Sequence, residues 1–288
     1  MASLKIIRKR RASVKNTQKV TKAMKLVAAA KLRRAQQSAL ASRAYVDGLN
    51  AIVSNVASRM NAESAPLLMR AGQNAKTLLV LLTSDRGLCG GFNENLVRGA
   101  NDWLKQQKAV GISTDVLVLG RKGVAALHRL KITAEKRTET LPENNPEPLV
   151  QLLAPMLTER FVSGSVGKIV VGYNRFISAG RQQIAFEQLL PFETQQAAAS
   201  FSVEYLYEPE REAVLNTLIE QAFTGFIRQA FLDSRASELA SRMQAMDNAT
   251  KNAQEMIEKL SLQYNRARQA TITGELLDIL GGAAALNG

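Results

Sequence analysis

Ile7 to Val56, IRKRRASVKNTQKVTKAMKLVAAAKLRRAQQSALASRAYVDGLNAIVSNV, is the stretch whose reading decides the fold. It holds no proline and a single glycine, Gly48. From Ile7 a series runs through Arg10, Val14, Thr17, Thr21, Met24, Ala28, Lys31, Ala35, Ser38, Ser42, Tyr45, Leu49, Ile52 and Val56, with steps alternating between three and four. Nine of these fifteen residues are apolar and most of the rest are small. Such a repeat is the seam of a coiled coil, thin near Ile7 and thicker toward Val56. A helix this long with so narrow an apolar stripe is not stable alone, so it requires a partner.

The other end of the chain supplies one. Leu232, Ala236, Leu239, Met243, Met246, Thr250, Ala253, Ile257, Leu260, Tyr264 and Ala267 repeat in the same rhythm. Glu208-Pro209-Glu210 has the acids and proline of a helix start. Leu215, Ile219, Ala222, Phe223 and Phe226 broaden the early apolar face. The economical pairing joins the two ends to each other. The segment between them becomes an insertion and the helices antiparallel. At ~1.5 Å per residue the second helix is the longer, so its C-terminal tail is expected to project past the first. That tail, Thr271 to Leu286, ends almost without charge. An apolar helix tip needs cover, from its own fold or from a socket in another protein.

All seven prolines lie between Pro66 and Pro209, and there the pattern changes. Lys76–Ser84 (KTLLVLLTS) and Asp115–Gly120 (DVLVLG) are continuous apolar runs, which mark strands buried on both faces. Lys168–Tyr173, Gln183–Leu190 and Phe201–Tyr207 read as further strands. Helices are expected at Phe92–Lys108, near Lys122–Leu130 and at Pro148–Phe161. The alternation predicts a small, mostly parallel α/β sheet of Rossmann-like type. The fold class is therefore a long antiparallel two-helix coiled coil with an inserted α/β domain. The expected divisions are 1–60 for the first helix, 61–207 for the domain and 208–288 for the second helix.

Charge is as uneven as the breakers. The chain has 288 residues and a net charge of +13. The first acidic residue is Asp47, and thirteen basic residues precede it. The remaining 25 basic residues balance the 25 acidic ones, so the whole excess sits in the first helix. Arg8, Lys15, Lys19, Lys22 and Arg33 share one stripe, which suits an acidic partner surface. A mitochondrial transit peptide has similar composition, but here the helical repeat runs through without a break. A nucleic-acid scaffold would interleave aromatics among the cations, and Tyr45 is the arm's only one. The longest uncharged stretch is 11 residues, too short to span a bilayer.

Chemistry is poorly provided for. One cysteine, Cys89, and one histidine, His128, exclude an intrachain disulfide, a cysteine-cluster metal site and most nucleophilic triads. Ser84–Asn93 (SDRGLCGGFN) follows a strand and precedes a helix, where a nucleotide-binding domain keeps its phosphate loop. Its glycines do not follow G-x-G-x-x-G, and no Gly-Lys-Ser/Thr is present. The better reading is a tight turn whose glycines let backbone and neighbouring chain approach closely, with Cys89 packed. Asp85 and Glu94 are close in sequence, without a pattern that makes them an acid–base pair. No catalytic, cofactor or metal residue is expected.

Three blocks carry a family resemblance: Ser13–Gln36 (SVKNTQKVTKAMKLVAAAKLRRAQ), the Ser84–Asn93 turn, and Ser237–Leu286, which includes SRMQAMDNATKNAQEMI and YNRARQATITGELLDILGGAAAL. The chain resembles the gamma subunits of F-type ATP synthases, the bacterial ones most, over its whole length. With Cys89 alone it lacks the regulatory dithiol insertion of chloroplast members. The resemblance implies a non-catalytic rotor shaft without cofactor. Its partners would be a ring of three alpha and three beta subunits, an epsilon subunit and a membrane c-ring, on the cytoplasmic side of a bacterial inner membrane. It also implies residue roles. Met24 and Lys25, with Lys15, Lys19 and Lys22, match the region facing acidic lever segments of beta. Arg268, Gln269, Thr273 and Glu275 match the part that holds beta loops higher up. Ile279, Leu280, Ala283, Ala284 and Leu286 match the apolar bearing tip, and Tyr205, Tyr207 and Glu208 the foot on the c-ring.

Overall fold

A computed structural model describes residues 4–57, 67, 76–137, 141–143, 145–192, 208 and 210–287. The expected strand at Phe201–Tyr207 lies outside them. The elements run α1 (Leu4–Ala57), β1 (Thr77–Leu82), α2 (Phe92–Ala109), β2 (Thr114–Leu119), α3 (Arg121–Arg129), β3 (Glu135–Arg137), α4 (Glu147–Val162), β4 (Lys168–Ser178), β5 (Arg181–Leu190) and α5 (Arg211–Asn287). They pack as two compact units. One comprises residues 29–242; the other comprises 1–28 with 243–288. In each, a segment of α1 packs on a segment of α5.

The larger unit is built on a five-stranded sheet ordered β3-β2-β1-β4-β5. β1 pairs in parallel with β2 and β4, β2 in parallel with β3, and β4 antiparallel with β5. The mostly parallel α/β sheet expected from the apolar runs is thus present. β4 runs five residues past Tyr173 to turn into a hairpin, and β3 is only three residues long, too short for a hydrophobic pattern to announce it.

The two-residue period of the strands sorts their side chains into two cores. Leu78, Val80, Leu82, Leu117, Leu119, Ile169 and Val171 face one side, under Leu149, Leu153 and Leu157 of α4 and Phe223, Ile227 and Phe231 of α5. Leu79, Leu81, Val116, Val118 and Val170 face the other, under Val97 and Ala100 of α2 and Ala126 and Leu127 of α3. There Trp103 stacks on Phe186 with centroids 5.9 Å apart. A further cluster joins Leu49, Val53 and Val56 of α1 to Leu215, Ile219 and Ala222 of α5. Residue numbers rise on one helix as they fall on the other, which makes this pairing antiparallel, as expected.

In the smaller unit the seam is polar. The hydroxyls of Thr21 and Thr250 are 2.8 Å apart, the Gln18 amide donates to Gln254 at 2.8 Å, and Lys25 Nζ lies 2.6 Å from Asp247. The opposed numbering again gives an antiparallel pair. The guanidinium of Arg11 lies over the Tyr264 ring, 5.2 Å from its centroid.

One half of the α1 seam was placed correctly and the other half was not. Ile7, Val14, Thr21, Ala28, Ala35, Ser42, Leu49 and Val56 are buried or partly so, as the series requires. Of the intervening positions Met24 and Lys31 are partly covered, but the buried residue otherwise falls one later than expected. Leu32, Ala39, Val46 and Val53 are buried, whereas Ser38, Tyr45 and Ile52 are exposed. Positions three and four ahead of a seam residue flank the same helical face, and packing against α5 selects the fourth. The α5 seam holds throughout: Met246 and Ala253 are buried, and Thr250, Ile257, Leu260, Tyr264 and Ala267 are partly covered.

Candidate partner-binding surfaces

The first surface is the basic face of α1 in the smaller unit. Lys15, Lys19 and Lys22 are exposed, and none forms an ion pair among the described residues. Exposed Val20, Leu26 and Val27 lie among them, giving a cationic face with apolar patches. Met24 is half-buried. Lys25 differs from the other lysines, because its ammonium pairs with Asp247 of α5. Hydrogen bonds from Lys25 and Lys251 hold the Asp247 carboxyl below its ordinary range.

The second surface is the far part of α5. Beyond Ala267 every residue to Gly282 is exposed, apart from a partly covered Gly274. Arg268, Gln269, Thr273 and Glu275 therefore all face solvent. Leu276, Leu277, Ile279 and Leu280 are 55–67% exposed, an apolar end left uncovered by the described residues. Ala283, Ala284 and Leu286 belong to the last turns of the helix, outside the residues whose side chains are described. Of the expected foot, Glu208 is exposed, and Tyr205 and Tyr207 lie outside the described residues. No described helix is long and apolar enough to cross a membrane.

The third feature was not expected. In a sheet ordered β3-β2-β1-β4-β5 the connections leave β1 and β4 in opposite directions. An α/β domain binds its ligand in the crevice at the carboxyl ends of two such strands. Here α5 occupies the region. Ser234 Oγ donates to the Leu82 carbonyl at the end of β1 at 3.5 Å, and Ser237 Oγ to the Asn174 carbonyl of β4 at 2.9 Å. Ser241 Oγ donates to the Cys89 carbonyl at 2.6 Å and Arg242 to the Gly87 carbonyl at 3.3 Å. From Gln229 to Ala240 α5 is buried on all sides except at Arg235.

The turn after β1 is closed from within as well. The Asn93 carboxamide accepts from the Ser84 backbone N–H and donates to Ser84 Oγ. Cys89 is buried, and desolvation pushes its thiol up, away from a reactive thiolate. Asp85 accepts from the backbone N–H groups of Arg121 and Leu141, and Glu94 pairs with Arg129. The two carboxylates thus serve separate structural bonds. Gly120, at φ 93°, passes so close to the Thr83 carbonyl that a side chain there would overlap it. The signal for this filled crevice was present in the sequence: Ser234, Ser237 and Ser241 repeat at three and four, a hydroxyl stripe beside the apolar seam.

The chain as a whole is similar to known proteins. The family model described as ATP synthase matches residues 3–286. The ATP synthase gamma chains of Geobacter metallireducens and Geotalea daltonii are 44% and 43% identical, over 100% of this chain and of each relative. That of Fuscovulum blasticum is 42% identical over 99% of this chain and 100% of its own. A chain in the central stalk/c-ring structure of the Tetrahymena thermophila mitochondrial ATP synthase superposes with a TM-score of 0.56 at 26% identity, covering 80% of this chain and 99% of that one. A chain of the Euglena gracilis mitochondrial ATP synthase, at 19% identity, shares the fold with a TM-score of 0.66, over 98% and 94%. End-to-end matches above 40% leave no part of the chain outside the likeness: it belongs to the gamma subunits of F-type ATP synthases.

Proposed function

We propose that the chain is itself non-catalytic and works as the rotating shaft of its complex. The observation that carries this reading is the pair of unpartnered surfaces in the smaller unit, one cationic and one apolar. An acid-free basic face on α1 suits acidic segments of beta subunits, with Lys15, Lys19, Lys22 and Met24 making the approach. Lys25 is already held by Asp247, so its contribution there is shared. On α5, Arg268, Gln269, Thr273 and Glu275 offer polar contacts to beta loops. The bare end from Ile279 through Leu280, with Ala283, Ala284 and Leu286, is a journal for an apolar sleeve formed by alpha and beta.

An asymmetric pair of helices presents a different face to each beta subunit. A contact that stabilises one beta conformation over another shifts that subunit's equilibrium, and turning the shaft passes the bias around the ring. The free energy passed at each step is the difference in the shaft's affinity for two states of beta. Torque enters through Tyr205, Tyr207 and Glu208, the foot on the c-ring, beside an epsilon subunit. The assembly sits at the cytoplasmic face of a bacterial inner membrane, held there through the complex.

Co-expression with alpha and beta subunits tests the reading. The expected result is a complex of three alpha, three beta and one copy of this chain that hydrolyses ATP. Purification of an ATP-hydrolysing alpha–beta ring that excludes the chain would contradict it.

A further inference from the structure

The α5 segment that fills the crevice is an expensive way to hold a helix. Apolar packing would seat it without burying polar groups, yet Asp233, Ser234, Ser237 and Glu238 are all at least 90% buried. Each has a specific partner. Arg43 of α1 places one terminal nitrogen 2.8 and 3.0 Å from the two Asp233 carboxylate oxygens and 3.1 Å from the Phe176 carbonyl. A single guanidinium thereby joins α1, α5 and β4. Phe176 sits beside an irregularity in the β4–β5 ladder, between Phe176 and Ser178. One turn further along α5, Ser237 is bonded to Asn174, two residues back along β4. Glu238 is held between Arg235 and Arg242, and Arg242 also reaches the Gly87 carbonyl.

The directions of these bonds matter. Apolar contact is non-directional, so it resists turning of a helix against a sheet only through the fit of the packed side chains. A hydrogen bond weakens steeply when its angle changes, and bonds from one guanidinium nitrogen to both a carboxylate and a strand carbonyl are strained when either acceptor turns. Bonds from one helix to two strands and a turn, together with a bridge to the second helix, oppose rotation of the helix pair relative to the sheet. Burial raises the Asp233 carboxyl more than Arg43 lowers it, so the pair is not arranged for greatest stability.

We propose that Arg43 and Asp233, with Ser237, form a clamp that carries torque between the α/β domain and both helices. They are positioning residues, since they touch no substrate and act through the helices they hold. The proposal rests on the rotor reading above. It adds where in the larger unit the load crosses from sheet to helix.

The test uses the assembled complex of alpha, beta and this chain. The ring is fixed to a surface and a magnetic bead attached to the α/β domain through a cysteine at Val110, a 69% exposed position. Twisting the bead in a stalled complex measures torsional stiffness. In R43M/D233L the ion pair is replaced by apolar side chains, an exchange that commonly preserves folding. Stiffness is expected to fall to about half or less, because the load-bearing contact now opens locally, while the melting temperature of the complex is unchanged. R43K supplies a second reading: the lysine side chain is shorter, so its ammonium falls short of holding the carboxylate and the Phe176 carbonyl together, and an intermediate stiffness is expected. Wild-type stiffness in R43M/D233L, or in R43K should the double variant fail to assemble, would overturn the clamp. A wild-type chain that does not rotate at all would instead overturn the rotor reading on which it rests.

Discussion

Arg43 and Asp233 contribute unequally to stability, although they form one pair. The Asp233 side chain is 2% exposed and the Arg43 side chain 34%. Removing the arginine strands a buried carboxylate, so R43A is expected to cost roughly 3 kcal/mol. D233N leaves a neutral acceptor beside a partly solvated cation and is expected to stay within about 1 kcal/mol of wild type. Denaturant unfolding of the purified chain measures both. The sign with pH follows from the raised Asp233 carboxyl. A carboxyl that is a weaker acid in the fold opposes folding when ionised; that penalty is full above its raised value and gone below the unfolded one. Any advantage of D233N over wild type should therefore be greatest near neutral pH and vanish below about pH 4. Glu147 behaves oppositely. Its hydrogen bond from Arg228 lowers its carboxyl, so the stabilisation it gives is present above the ordinary carboxylate range and lost in acid. Neither residue stood out in the sequence. A lone Arg and a lone Asp 190 positions apart become a pair only once the helices are antiparallel and in register.

At the level of the element, α1 shows what a repeat can and cannot specify. Its period was readable from Ile7 to Val56, because the breakers are absent and the spacing alternates throughout. Its phase was readable at every second position, and at Met24 and Lys31 among the rest. Tyr45 and Ile52 looked like seam residues because they are large and apolar, but each lies one residue from the face that α5 covers. A matched pair of substitutions checks the corrected phase. V46A should cost about 1–2 kcal/mol, as a buried branched side chain is truncated, whereas Y45A should stay within about 0.5 kcal/mol. Equal costs, or the reverse order, would restore the earlier phase. The sheet was legible for a different reason. TLLVLL and the run following Thr114 bury both faces, and continuous apolar strands announce themselves without alternation. The three residues of β3 carry no such signal; pairing with β2 alone makes them a strand.

In the whole molecule, the same topology that would make a nucleotide site here makes a helix seat. The strand order provides the crevice, and the hydroxyl stripe of α5 fills it. The misfit of the Ser84–Asn93 turn to any phosphate-loop pattern was legible from its glycines; the serine stripe was also in the sequence, but nothing there ties it to a crevice some 150 residues away. The two proposed partner surfaces stand out in the sequence because they depart from ordinary surface chemistry, one by holding no acid and the other by ending without charge. Adding a cation to the first is expected to harm coupling more than catalysis. M24K places a further ammonium on a face that already seeks carboxylates, and the tighter contact would have to be broken at every step. ATP-driven proton pumping should fall by about five-fold, the factor given by about 1 kcal/mol of added surface pairing, at nearly unchanged hydrolysis. Pumping and hydrolysis that remain in their wild-type ratio would move the beta contact elsewhere on α1.

Rotation itself is the most direct measurement. The native thiol of Cys89 is buried, so a V110C variant offers one accessible cysteine for a gold particle on the α/β domain. With alpha and beta fixed to glass and ATP supplied, the particle should turn in one direction in three equal steps per revolution. A complex that hydrolyses ATP steadily while the particle stays in place would contradict the account.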